Sequence, residues 1–129
     1  MLSIVLTYVY AMLTPMAHAS NANPCPPGFT GETRAIVTYS PSTNADQALA
    51  HFPDHLKFLE KHMKSGDLIS SGPMVKDGKP IGKGFGVYRL ADVEKVKAIV
   101  DQDPMITGKV SAYEINQWLE CKLAQAKKK

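Results

Sequence analysis

The sequence carries no real surplus of either charge. Its 129 residues hold 15 Lys and Arg against 12 Asp and Glu. Lys127, Lys128 and Lys129 supply the whole excess from a terminal tail. No basic face is implied, and nucleic acid is not expected as a partner. Motifs that hold metals or phosphates are also missing. His51, His55 and His62 lack the His-Glu-x-x-His pattern, and Pro53 falls between the first two, so no metal site is expected. Gly82-Lys83-Gly84-Phe85-Gly86 lacks the spacing of a dinucleotide or phosphate loop and leads into a strand rather than a helix. Its glycines suit a hairpin arm, or close approach of another backbone or a ligand, and no cofactor is expected. Cysteine is nearly absent. Cys25 and Cys121 allow one disulfide or stand as two thiols.

The N-terminal stretch lacks charge altogether, with no formally charged residue before Glu32. Leu2 to Leu13 is mostly apolar but short of the ~20 residues that span a bilayer. Ala17-His18-Ala19 follows, a small-x-small site with cleavage before Ser20. Residues 1–19 are therefore expected to be a signal peptide, although no Lys or Arg stands near Met1; a buried N-terminal helix is the alternative. The mature protein would be secreted or periplasmic, with no stable membrane anchor. An oxidising compartment would permit the Cys25–Cys121 bond. Residues 20–33, with Asn-Pro-Cys-Pro-Pro-Gly, read as a proline-rich linker, and residues 120–129 as a basic tail.

What is present lies between. Arg34-Ala-Ile-Val-Thr-Tyr39 has the β-branched and aromatic content of a strand. Asn44 with Gln47 resembles a capping box. Proline is disfavoured inside a helix, so a short turn near Asp46–His51 is expected, then a fresh helix with Pro53 near its first position. Leu56, Leu59 and Met63 mark its buried stripe, His55 sits at the stripe's edge in the first turn, and Gly66 is a left-handed stop. A strand over Leu68–Val75 contains Ser71-Gly72-Pro73. Asp77-Gly78 signals a hairpin turn, and Phe85–Leu90 a third strand. Asp92 caps a second helix with Val93, Val96 and Val100 inward. Asp103, pushed out of helical conformation by Pro104, is displayed on a turn. Val110–Leu119 reads as the last strand.

The order β-α-β-β-α-β over residues 34–119 is the ferredoxin-like arrangement, an α+β fold with a four-stranded antiparallel sheet and both helices on one face. The other face needs a cover, most simply a second copy, making a homodimer. Val37, Tyr39, Val87, Ile115 and Trp118 are the expected residues of that face.

His55-Leu56 heading a helix, Gly66-Asp67-Leu68, Ser71-Gly72-Pro73, Ala91-Asp92 and Asp103-Pro104, in that order and spacing, resemble the YCII-related (YciI-like) domain family. The resemblance covers about Arg34 to Trp118. It implies a dimeric α+β barrel similar to muconolactone isomerase, with an active site around a histidine and an aspartate. A few relatives act on chlorinated aromatic breakdown products. Members often carry an arginine three residues before the histidine, where this chain has Phe52, and most lack an export signal. On this resemblance His55 is the general acid/base, Asp103 orients or charges it, and Ser71, Gly72 and Pro73 bind substrate. The expected function is a small-molecule lyase, isomerase or hydrolase. The alternative is a non-catalytic exported binding or accessory protein on the same scaffold.

Overall fold

The structure, a computed structural model, describes residues 24–125. The expected signal segment and cleavage site lie outside these residues, as does the last part of the lysine tail.

Seven elements follow in order: β1 Phe29–Tyr39, α1 Ala45–Ser65, β2 Leu68–Lys76, β3 Lys79–Tyr88, α2 Val93–Val100, α3 Pro104–Thr107 and β4 Tyr113–Leu123. The sheet order is β2-β3-β1-β4, and every neighbouring pair is antiparallel. This is the expected α+β arrangement, with β1 and β3 central.

Local chemistry sets the ends of each element. The Asn44 side chain accepts the Gln47 N–H at 3.1 Å and starts α1. Gly66 ends it at φ 82, a conformation glycine adopts without cost. Asp92 caps α2 by accepting from the Glu94 and Lys95 amides. Asp77 and Gly78 both take positive φ in the two-residue turn between β2 and β3, as a tight hairpin following the sheet's twist requires.

Three expectations need correction. First, Pro53 does not break the helix, because α1 runs continuously from Ala45 to Ser65. Proline deprives the Leu49 carbonyl of its partner, but Leu49 and Pro53 both face solvent, where water can replace the bond. Second, the helix is rolled away from the expected stripe. Phe58 and His62 are its buried residues, while Leu56 and Met63 remain 49% and 40% exposed. Third, β1 begins at Phe29, inside the expected linker, and β4 continues to Leu123, inside the expected tail. These extensions pair with each other, Phe29 opposite Leu123 and Gly31 opposite Cys121. Cys25 and Cys121 form a disulfide that ties the segment before β1 to the end of β4.

The core lies between the sheet and the helices. Ala35, Val37 and Tyr39 point to this side from β1, joined by Leu68, Tyr88, Val96 and Val100. A strand alternates its faces, so Arg34, Ile36 and Thr38 point the other way. Trp118 pairs with Arg34 and Val87 with Ile36, and both share that outer face. The expected outer-face set thus mixed the two sides: Val37, Tyr39 and Ile115 belong to the core cluster or pack against it.

Candidate functional site

His55 lies near the middle of α1, about one helical turn before the buried Phe58 and the partly buried Leu59, and its ring is turned toward Asp103 at the start of α3. Its Nδ1 stands 2.8 Å from Asp103 Oδ1 and 2.9 Å from Oδ2. Asp103 is fully buried. The expected display of Asp103 on an open turn is therefore corrected. Pro104 does hold it in extended conformation, but as the N-cap of α3, with the carboxylate turned inward. Oδ1 accepts the Met105 N–H at 2.9 Å, and Oδ2 accepts the Tyr39 hydroxyl at 3.0 Å. These bonds hold the carboxylate from both sides. A carboxylate only accepts, so Nδ1 carries the proton of the His55 contact and Nε2 is left free to act.

Tyr39 is the member that sequence reasoning missed. The sequence places it on the outer sheet face, whereas the alternation Ala35, Val37, Tyr39 turns it under the helices. Burial raises its phenol far above the ordinary range, with the neighbouring Tyr88 and Asp103 adding to the effect. It therefore stays protonated and donates. Its ring meets His55 edge-on, with centroids 5.8 Å apart and planes at 78°. Phe52 holds the ring from another side, at 5.9 Å and 36°. Behind Tyr39, the Tyr88 hydroxyl is buried without a hydrogen-bond partner.

A cavity of 1090 Å³ opens beside this cluster, between α1 and the β2–β3 hairpin. His55 and Tyr39 line it, together with Ser71, Gly72 and Pro73 from β2, and Gly82 and Gly84 from β3. The glycine run that resembles no phosphate motif thus forms a wall of this space. Asp103 does not line the cavity; it reaches it only through His55. The structure therefore brings together all five residues named from sequence, but in two ranks. His55, Ser71, Gly72 and Pro73 face the space, and Asp103 holds His55 from behind. The juxtaposition comes from α3 packing on α1 rather than from the ends of two long helices.

With α1 unbroken, His51 and His55 share a helix face. His51 nonetheless packs on Gly108, where an added Cβ would come within 2.8 Å of its ring, while His55 is bound to Asp103. Among the described residues no group of three or more His, Cys, Asp or Glu is arranged to hold a metal ion.

The model of the YCII-related domain matches residues 33–119. The chain belongs to the YCII-related domain family. Among solved structures, it resembles the 5-chloro-2-hydroxyhydroquinone dehydrochlorinase of Burkholderia phenoliruptrix, determined as a complex with 2,5-dihydroxybenzoquinone. The TM-score is 0.53 at 16% identity, over 65% of this chain and 92% of that one. A conserved protein of unknown function from Bacteroides thetaiotaomicron, described as a possible oxidoreductase, matches with a TM-score of 0.44 at 10% identity, over 68% and 96% of the two chains. A Shewanella oneidensis protein gives 0.45 at 10% identity, over 72% and 97%. At these identities the likeness is one of fold. No curated protein matches the chain. For this YCII-related domain the site must be read from its own residues.

Proposed function

We propose that this YCII-like protein is an exported enzyme acting on a small organic molecule as a lyase, isomerase or hydrolase. The observation that carries this reading is a free imidazole nitrogen facing a cavity while the other ring nitrogen is held by a fully buried carboxylate. In the proposed cycle, Nε2 of His55 takes a proton from a substrate O–H or activated C–H. The resulting imidazolium keeps its Nδ1–H on Asp103, and the proton returns to product or leaving group. Asp103 acts through His55, as a positioning residue. It fixes the tautomer and offsets the developing positive charge, and Tyr39 with the Met105 amide fixes Asp103 in turn. Ser71, Gly72 and Pro73 shape the opposite wall. The fold neighbour's description as a dehydrochlorinase fits this class of chemistry. Export is supported by the apolar run ending in Ala17-His18-Ala19 and by a disulfide, a bond favoured in oxidising compartments.

The test uses 2,5-dihydroxybenzoquinone as a probe and the His55 ring signals in NMR as a readout. The probe should shift the His55 signals of the wild-type protein, and His55→Gln should remove binding-linked changes while preserving the fold. With 5-chloro-2-hydroxyhydroquinone, chloride release that is lost in His55→Gln and reduced in Asp103→Asn would establish turnover. Binding without turnover would return the protein to the accessory-protein reading. A probe that leaves His55 untouched would count against the site itself.

A further inference from the structure

The cavity is larger and more apolar than a single-ring substrate requires. Ligand pockets usually fall in the range of about 300–1,000 Å³, and this one is at 1090 Å³. One wall is a stripe of α1 side chains: Leu49, Phe52, Leu56 and Met63. They are 73%, 47%, 49% and 40% exposed, and all four line the cavity. At ~1.5 Å rise per residue the stripe is roughly 20 Å long, and it passes His55 on the way. Pro73 and Pro80 face it from the hairpin. Large apolar side chains left in contact with water along one line mark a surface meant to be covered. This stripe is continuous with the proposed reactive nitrogen.

Charge narrows the class further. The lining contains three charged side chains, Glu60, Lys64 and Lys83. Glu60 and Lys64 neutralise each other at 2.5 Å, and the remaining cation, Lys83, is exposed on β3 rather than on the helix that carries His55. No arginine lines the space, and the position three residues before His55 is the apolar Phe52, packed on the imidazole. Nothing beside His55 is built to clamp a carboxylate or phosphate.

Resting on the acid/base reading above, we infer that the substrate is an uncharged phenol or enol carrying an apolar extension longer than its ring, an alkyl chain or a second ring. The hydroxyl meets Nε2 of His55, and the extension lies along Leu49, Phe52, Leu56 and Met63.

The experiment is a titration of the full chain with phenol and with para-alkylphenols from ethyl to octyl. Affinity is followed by calorimetry and site occupancy by the His55 ring signals. Each added methylene should tighten binding about fourfold, from ~0.8 kcal/mol per buried CH₂, until the chain outruns the stripe. Leu56→Ser and Met63→Ser, both at exposed positions that leave the core intact, should flatten the dependence on chain length, weakening the octyl member far more than phenol itself. The matching para-alkylbenzoates should bind no more tightly than the phenols. Affinity independent of chain length, with phenol still shifting His55, would overturn the inference and leave the acid/base site standing; the stripe would then be covered by something else, such as a second copy. Preferential binding of benzoates would overturn the neutral class. If no member of the series reached His55, both the inference and the reading beneath it would fall.

Discussion

Asp103 is worth most at the residue scale, because one buried side chain accepts from His55, Tyr39 and the Met105 amide at once. Half of this arrangement is legible in the sequence. An Asp before a proline announces a residue held out of helical conformation, though not that it caps a short helix with its carboxylate turned inward, and a histidine at the margin of an apolar stripe announces a ring near solvent. Tyr39 is not legible in the same way, because its partners are 16 and 64 positions away along the chain. The buried phenols behind the site also set a limit on alkaline stability. Burial, opposed only in part by Tyr39, pushes the Tyr88 hydroxyl up to about 12 from its ordinary value of 10.0. The folded form therefore holds this proton more tightly than the unfolded chain does. The stability so gained is complete below about pH 10 and is lost as pH rises toward about 12. Unfolding followed by circular dichroism should accordingly set in over that interval. Tyr88→Phe removes a buried hydroxyl whose polar neighbour, Tyr39, keeps its own bond to Asp103, so it should cost little at neutral pH and move the alkaline transition upward. An unchanged alkaline midpoint in Tyr88→Phe would mean that some other group governs the loss.

Helix α1 shows why elements are easier to read than their orientation. Asn44, Gln47 and Gly66 mark its two ends, and these signals act over a few residues, so the sequence displays them directly. The proline rule failed inside the same helix, because a missing hydrogen bond is severe only where water cannot replace it. The stripe Leu56, Leu59 and Met63 was a correct sign of helical period. It did not say whether that side meets the sheet or a cavity, since apolar side chains serve both. The four-residue α3 was invisible for a different reason: it is too short to show any period, yet it carries Asp103 to His55. The β1 and β4 extensions were hidden by a proline-rich composition before one strand and a lysine-rich one after the other. If Pro53 is held only by the rest of α1, Pro53→Ala should restore the bond to the Leu49 carbonyl. Proline costs about 3 kcal/mol relative to alanine in a helix interior, offset by up to about 1 kcal/mol through a less restricted unfolded chain. A rise of about 2–3 kcal/mol in urea unfolding is expected, with the denaturant slope unchanged. A loss of stability would mean that the ring itself packs in a way its exposed position does not suggest.

At the scale of the whole molecule, the disulfide and the outer sheet face each speak to where and how the protein works. Cys25 and Cys121 are 96 positions apart, so the bond closes nearly the whole domain and should contribute about 2–5 kcal/mol. Intact mass spectrometry of protein from its native host should show a chain that begins at Ser20 and lacks the two thiol hydrogens. A reduced chain retaining Met1–Ala19 would defeat the export reading. The outer face leads to the last expectation. Both long helices cover the same side of the sheet, leaving Ile36, Phe85 and Trp118 on the other, with Trp118 at 41% exposure. Arg34 stands beside Trp118 on this face, held by Glu120 at 3.1 Å and Glu32 at 2.6 Å, so the apolar patch is bordered by a satisfied charge network. An aromatic centre with a polar rim is the usual make-up of a stable contact between proteins. A second copy placed face to face would cover it symmetrically, with each partner burying roughly 800 Å². We therefore expect light scattering to give twice the chain mass at micromolar concentration. Trp118→Arg should shift the protein toward a monomer without unfolding it, because the side chain lies outside the core. A wild-type monomer, or a Trp118→Arg variant that remains fully dimeric, would show that this face is not the contact.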